Sequence, residues 1–352
     1  MSLLWQRLAG LELTVEDYAL ERLEAKVSSA FTRVSTVIRL RGAGTDGVGE
    51  DVSYDTPDHD RLHEAGPVLP LTGTWTLESF CDHLETLDLW PAPPERDASR
   101  HYRVWAYESA ALDLALRQAG TSLHEQLGIT PRPVRFVVSM RLGEPATMAP
   151  LRARLDAYPD LRFKLDPTND WTPQLAAEVA ATGAVVSLDL KGQYKGSIVD
   201  VEADPDLYRL LLMAFPGVWL EDPHTGIAEI DALVEPVRDR VTWDAIIHGI
   251  ADIQALPYAP RMVNIKPSRL GSLRSLLEAY FYCDMSRIGM YGGGQFELGP
   301  GRGQIQYLAS LFHPDGPNDV APGGYNAPEW AADLPHSPLP VVAEPTGFRW
   351  AS

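Results

Sequence analysis

RFK at 162–164, AVVSLD at 184–189, GVWLE at 217–221, RVTWD at 240–244 and MVNIK at 262–266 decide the fold. Each is a short apolar run closing on one charged residue: Lys164, Asp189, Glu221, Asp244 and Lys266. A β-branched or aromatic run followed by a loop and a helical stretch is a strand–loop–helix unit. The charged ends lie 22 to 32 residues apart, about one βα unit each, since a (β/α)₈ barrel spreads ~250 residues over eight units. Parallel strands bury both faces, so a charge at each carboxyl end belongs at the barrel mouth. A single acid at a strand end is commonly a helix cap or a loop ion pair. Five successive units ending K, D, E, D and K are hard to obtain from capping. Three carboxylates and two lysines then converge on one cup, read here as a divalent-cation site flanked by two bases.

The chain has 352 residues, 45% hydrophobic and 22% charged, an ordinary globular composition long enough for two domains. Its formal charge of −18 argues against nucleic acid, which needs a basic face, and against an anionic membrane surface. No apolar stretch approaches the length of a membrane span. Arg7, Glu12, Glu16 and Asp17 interrupt the opening twenty residues, which therefore do not read as a secretory signal. Cys81 and Cys283 are far apart, without metal-type spacing, and suit a reducing compartment. The expectation is a cytoplasmic protein with a small-molecule partner.

Residues 1–128 read as a separate α+β unit. FTRVSTVIRL (31–40) is strand-like, and TDGVGED (45–51) reads as a turn toward a second strand. Tyr102 to Gln118 is the clearest helix, closed by Gly120. Its Glu108 and Asp113 are expected to be solvated or capping. From Pro133 the grammar alternates strand and helix, which is the pattern of a parallel α/β sheet. VRFVVSM (134–140) is the first barrel strand, RIGMYGG (287–293) the seventh, and NDVAP (318–322) a short eighth. The barrel spans 129–325, and a Pro-rich tail (326–352) is expected on the surface or the cap. GMYGGGQFELGPGRGQ (289–304) precedes a helix, so its N–H groups are candidates for holding an anion. His224, His248 and His313 read as isolated surface or loop residues.

Taken together, these features resemble the enolase superfamily in its muconate-lactonizing, o-succinylbenzoate synthase-like branch. Gly47, Gly49 and Glu50 match the family's G-x-G-E turn, and AALDLA (110–115) its pre-barrel helix. Arg162-Phe163-Lys164 stands where the branch has K-x-K, and Glu221-Asp222-Pro223 where it has E-x-P. IKPSRLGS (265–272) is similar to its sixth-strand segment. The resemblance implies a (β/α)₇β modified TIM barrel with an N-terminal α+β capping domain. It also implies Mg²⁺ (Mn²⁺ in its place) on Asp189, Glu221 and Asp244, Lys164 and Lys266 as the acid–base pair, and a homo-oligomer. Glu297 resembles the branch's glutamate after strand seven. Phe31 and Tyr54 are candidates for shaping the substrate pocket.

The implied chemistry has a physical logic. Removing a proton α to a carboxylate leaves an enediolate, which Mg²⁺ held by hard oxygen ligands stabilises as a Lewis acid. Lysine is a poor base at its free pKa of about 10.4, and a nearby cation and a second lysine are expected to lower it. Lysines on opposite strands would face opposite sides of a planar intermediate. Racemisation or epimerisation, cycloisomerisation, and β-elimination as in o-succinylbenzoate synthases all share this first step. A methylaspartate ammonia-lyase-like or acid-sugar dehydratase-like lyase is the alternative within the enzymes. A catalytically silent binding barrel is the alternative outside them. Three departures from the family pattern stand out: Lys191 where Asp-x-Asn is usual, Arg162 for the first lysine of K-x-K, and Ala245 where Glu commonly follows the fifth-strand ligand. Lys191 either binds a substrate carboxylate or turns outward with Lys195. Arg162 offers a fork suited to a carboxylate.

Overall fold

A computed structural model of the chain describes residues 2–26, 32–195, 201–326 and 333–351. The N-terminal part runs α1 (Leu3–Ala9), β1 (Glu12–Val15), β2 (Asp17–Lys26), β3 (Thr32–Gly42), β4 (Thr45–Asp51), α2 (Thr56–Ala65), β5 (Gly73–Thr76), α3 (Leu77–Glu85), α4 (Ser99–Gln118) and α5 (Leu123–Leu127). Strands β2, β3 and β4 form an antiparallel sheet, and β1 pairs with β5. The segment read as a turn, TDGVGED, is itself β4, paired with β3 from Gly42↔Thr45 to Thr36↔Asp51. The turn is Ala43-Gly44, both at positive φ. The glycines that suggested a turn serve another purpose. A Cβ on Gly47 would lie 2.2 Å from the carbonyl oxygen of Ala110, and one on Gly49 2.0 Å from that of Ala106. Only a strand without side chains there lets α4 come so close. Phe31 lies outside the described residues.

The second part alternates β6 (Val138–Met140), α6 (Ala149–Ala157), β7 (Phe163–Leu165), α7 (Pro173–Ala181), β8 (Val185–Asp189), α8 (Pro205–Ala214), β9 (Trp219–Glu221), α9 (Ala228–Val234), β10 (Val241–Trp243), α10 (Ile250–Gln254) and β11 (Met262–Ile265), then α11 (Pro267–Leu270), α12 (Leu273–Ser286), β12 (Gly289–Gly292) and α13 (Pro300–Phe312). Strands β6 to β12 lie side by side in sequence order, all parallel. The helices start where local chemistry allows. Thr172 and Asp204 cap α7 and α8, each followed by Pro at the first helical position, and Ser272 caps α12. The curled sheet closes through the eighth stave, reduced to parallel bridges Phe136↔Asn318 and Gly293↔Asp319. This is a modified TIM barrel under an N-terminal capping unit, and among the described residues no helix is long and apolar enough to cross a membrane.

The last residues do more than run over the surface. Leu339 pairs with Val134, and Phe348 is fully buried against Trp105 and Tyr307. Asp113 is buried as well and accepts from the backbone N–H of Val48 and Phe348 and from Arg349. Glu108 is buried too and caps α12 by accepting from the Leu273 N–H at 2.6 Å. Only Glu108 therefore caps a helix, Asp113 instead ties β4 to the tail, and neither is solvated, because α4 is enclosed by cap sheet, barrel and tail. His224 and His313 are buried, bonded to Tyr208 and to Asn318 respectively. His248 stays on a half-exposed loop.

Candidate active site

Alternation along each strand builds the cup. Ser187 and Asp189, Thr242 and Asp244, and Asn264 and Lys266 fall on the inner face, while Leu188, Trp243 and Ile265 between them join the hydrophobic core. Register then sets the charges side by side: Lys164 lies opposite Ser187, and Asp189 opposite Glu221. The five charged strand ends read from the sequence all occur in this cup, and all five are buried.

Lys164 donates to Glu221 and lies 3.0 Å from Asp189 Oδ2 and 3.6 Å from Asp319 Oδ2. Burial opposes its charged form, but Asp189, Glu221, Asp319 and Asp244 outweigh that and hold its pKa well above the usual value. The lowering expected from a neighbouring cation belongs to a site in which that cation stands among these same carboxylates. Across the cup, Lys266 Nζ donates to Asp244 Oδ2 at 2.8 Å. Arg269 on α11 donates to Asp244 Oδ1 at 2.6 Å and to the Asp244 carbonyl, and the Tyr194 hydroxyl donates to Oδ2 at 2.8 Å. Despite burial, Arg269, Lys266 and Lys164 keep the Asp244 carboxyl well below the ordinary range. The Tyr291 hydroxyl donates to Glu221 from the seventh strand.

Asp189, Glu221 and Asp222 bring carboxylate oxygens within 4.8 Å of one another, all three buried. Asp222 accepts from the N–H of Asp244 and of Ala245, each at 2.8 Å, and burial raises its pKa to about 7, with Asp244 and Asp189 adding to the rise. A cluster of hard oxygen donors shut away from water matches a small divalent cation and no soft metal. Asp189 and Glu221 serve both the sequence triad and this cluster. The oxygens of Asp244 face Arg269, Lys266 and Tyr194 instead.

The remaining candidates divide. Lys191 turns inward, its ammonium 2.5 Å from Asp189 Oδ2 and 3.3 Å from Asp166 Oδ2. Arg162 does not enter the cup. The β7–β8 register shifts between Phe163 and Lys164, Arg162 stays exposed, and its guanidinium donates to the carbonyls of Asp160 and Leu161. Glu297 pairs with Arg302 at 3.0 Å and accepts from the Gln295 N–H. Tyr54 donates to Gln295 at 2.7 Å beneath Arg33.

The glycine-rich loop does hold an anion, and the anion is the chain's own. Glu50 accepts from the N–H groups of Leu298, Gly299 and Gly301. Arg33 takes the loop's carbonyls at Gln295 and Phe296 from the cap side. Two further glycines provide clearance: a Cβ on Gly293 would lie 2.5 Å from Lys266 Cε, and one on Gly294 2.6 Å from Glu297 Oε2. The sequence reading did not single out Arg269, Tyr194, Tyr291, Asp166 or Asp319 for the site. Arg269, Asp222, Tyr291 and Asp319 stood inside quoted stretches without being read as site residues, whereas Tyr194 and Asp166 lay outside them.

The family described as "Domain of unknown function (DUF8230) C-terminal domain" matches residues 130–327, and its N-terminal counterpart matches residues 6–126. Among curated relatives, an N-succinylamino acid racemase of Thermus thermophilus is 24% identical over 329 residues, covering 90% of this chain and 86% of the relative. An o-succinylbenzoate synthase of Bacillus subtilis is 26% identical over 220 residues, covering 61% of this chain and 57% of the relative. Among solved structures, muconate cycloisomerase from Pseudomonas fluorescens superposes with a TM-score of 0.66 at 18% identity, covering 96% of each chain. A dipeptide epimerase from Methylococcus capsulatus complexed with Mg ion gives 0.63 at 19% identity, covering 90% of this chain and 92% of that one.

Proposed function

The chain belongs to the DUF8230 family, and from that premise we propose that it is an enolase-superfamily enzyme of the muconate-lactonizing, o-succinylbenzoate synthase-like branch, one that depends on Mg²⁺ and abstracts the α-proton of a small carboxylate substrate. The observation that carries the reading is the placement of Lys164 and Lys266. They stand on β7 and just past β11, on opposite sides of the cup, each ion-paired to a different carboxylate. Asp189 and Glu221 would hold the ion, with Asp222 or Asp244 completing the set. When bound, Mg²⁺ supplies Lewis-acid stabilisation of the charge that develops on the substrate carboxylate.

The chain's own groups account for the rest. Lys164 is held protonated by its carboxylate neighbours, so it takes up a proton only when a cation among those carboxylates offsets their pull. Lys266, fixed to Asp244, would stand on the other face. Arg269 and Tyr194 fix the orientation of the Asp244 carboxylate. Such an arrangement serves a one-base exchange, a two-base racemisation or epimerisation, a cycloisomerisation or an elimination with one lysine neutralising the departing side.

The test is α-proton exchange in deuterated water, read by mass spectrometry across N-acyl amino acids, dipeptides and hydroxy acids with Mg²⁺. Exchange that stops on chelation and falls about 10²–10⁴-fold in Lys164→Ala and Lys266→Ala supports the reading. Exchange unaffected by chelation, or no Mg²⁺ binding by calorimetry, sinks it.

A further inference from the structure

Lys191 has no counterpart in the branch's pattern, and its geometry is unusual. Its backbone sits in the left-handed region at φ 55°, a conformation most side chains avoid. That conformation folds the residue back onto Asp189, two positions earlier. The Lys191 N–H donates to Asp189 Oδ1 at 3.2 Å and the ammonium to Oδ2 at 2.5 Å, so one residue engages both oxygens. The same Oδ2 also meets Lys164 at 3.0 Å. On its far side Lys191 has Asp166, whose Oδ2 lies 3.3 Å away, and the Tyr194 ring at 5.2 Å. Asp166 Oδ1 is buried and has no hydrogen-bond partner among the described residues.

We propose that Lys191 is a positioning residue with two seats, a tethered cation that competes with the divalent ion for Asp189 and moves onto the vacant oxygen of Asp166 when the ion loads. The inference rests on the reading of Asp189 as an ion ligand. An ammonium group within a few ångströms of a divalent ion is repelled strongly in a buried site. A loaded site therefore requires that charge to leave Asp189, and the unsatisfied carboxylate oxygen of Asp166 is where it is received. The consequence is a site that binds its ion weakly and gives it up readily, compared with the neutral amide the branch usually carries.

The experiment is Mn²⁺ binding to the full chain without substrate, read from the free-ion paramagnetic resonance signal, with Mg²⁺ as competitor. Lys191→Gln is expected to bind at least tenfold more tightly than the wild type, and Lys191→Arg, which keeps the charge, to stay near the wild type. Asp166→Asn, which removes the second seat, is expected to weaken binding at least fivefold, and to have little effect on top of Lys191→Gln. Thermal unfolding of each variant establishes that it is folded. Should Lys191→Gln not fold, Asp166→Asn carries the test, and binding unchanged or tightened there overturns the proposal. Wild-type binding with no gain in a folded Lys191→Gln overturns it while leaving the metal site standing. No binding in any form overturns the metal reading together with this one.

Discussion

The carboxylate of Glu50, on a cap strand, accepts the N–H of Gly301 at the start of α13, 3.0 Å away and 251 residues later in the chain. The same group accepts from Leu298 and Gly299 and from the Ser35 hydroxyl. Glu50→Ala would leave one buried and two half-buried N–H groups without an acceptor, a fully buried one costing about 1–3 kcal/mol and the others less. The expected loss in a urea titration is about 3–5 kcal/mol, with faster hydrogen exchange concentrated at residues 295–301. Unchanged exchange there would remove Glu50 from the role of loop anchor.

Gly49 predicts a steric effect of comparable size. A methyl group there meets the Ala106 carbonyl at 2.0 Å and the Ser109 hydroxyl at 2.4 Å, whereas one on Gly10 meets nothing within 4 Å. Gly49→Ala is expected to lose about 3 kcal/mol or more as α4 is forced off β4, and Gly10→Ala less than about 1 kcal/mol. Denaturant midpoints of the two variants, measured together, give the comparison.

Glu108 makes stability depend on pH. Burial lifts its pKa to about 7 from an ordinary 4.5, against the lowering by the Leu273 N–H and Cys81. The native state keeps this proton where the unfolded chain has released it, so its contribution is complete below about pH 4.5 and is lost as pH rises to 7. The loss is on the order of 2–3 kcal/mol. Glu108→Gln should remove that slope, leaving a variant that gains on the wild type between pH 5 and pH 8. Parallel slopes for the two proteins would contradict the assignment.

Arg269 holds Asp244 by the carboxylate and the carbonyl at once. Arg269→Met leaves the buried acid with Lys266 and Tyr194 alone, and truncating one partner of a buried pair costs about 3–5 kcal/mol. Lysine cannot reproduce the fork, so Arg269→Lys should recover less than half of that. Equilibrium unfolding of both variants measures it.

Much of this architecture was legible in sequence because it follows from period. A parallel strand buried on both faces has few places for a charge, so Asp189, Glu221 and Lys266 announced both the strand ends and the cup. The cap was harder to read. Gly47 and Gly49 signal a turn by composition, yet they lie in a strand because α4 needs their bare backbone, which only the packed structure reveals. The same holds for the glycine-rich loop, whose N–H groups suggested an external anion while Glu50 waited 248 residues upstream of Leu298. Lys191 could be placed on the right strand end but not turned, since its direction depends on a left-handed backbone that no pattern of side chains encodes. Tyr291 and Asp319 reach the site from staves whose runs carry no charged terminus in register with the others.

The closure of the barrel also reaches both of its lysines. Between the seventh stave and the first, the wall is stitched by three backbone bonds through Asn318 and Asp319: from Val137 to Asn318, from Asp319 to Gly292, and from Gly294 to Asp319. Every other pair of neighbouring staves is joined by a paired ladder. The Asn318 side chain adds two more bonds across the seam, accepting from the Gly292 N–H and donating to the Arg135 carbonyl. Asp319 hangs on that seam beside Lys164, while Lys266 is carried by β11, laddered to β10 on one side and β12 on the other. Lys266 also borders the seam, through the bare backbone of Gly293, which is bridged to Asp319, so the place where the barrel closes touches both amines of the cup at once.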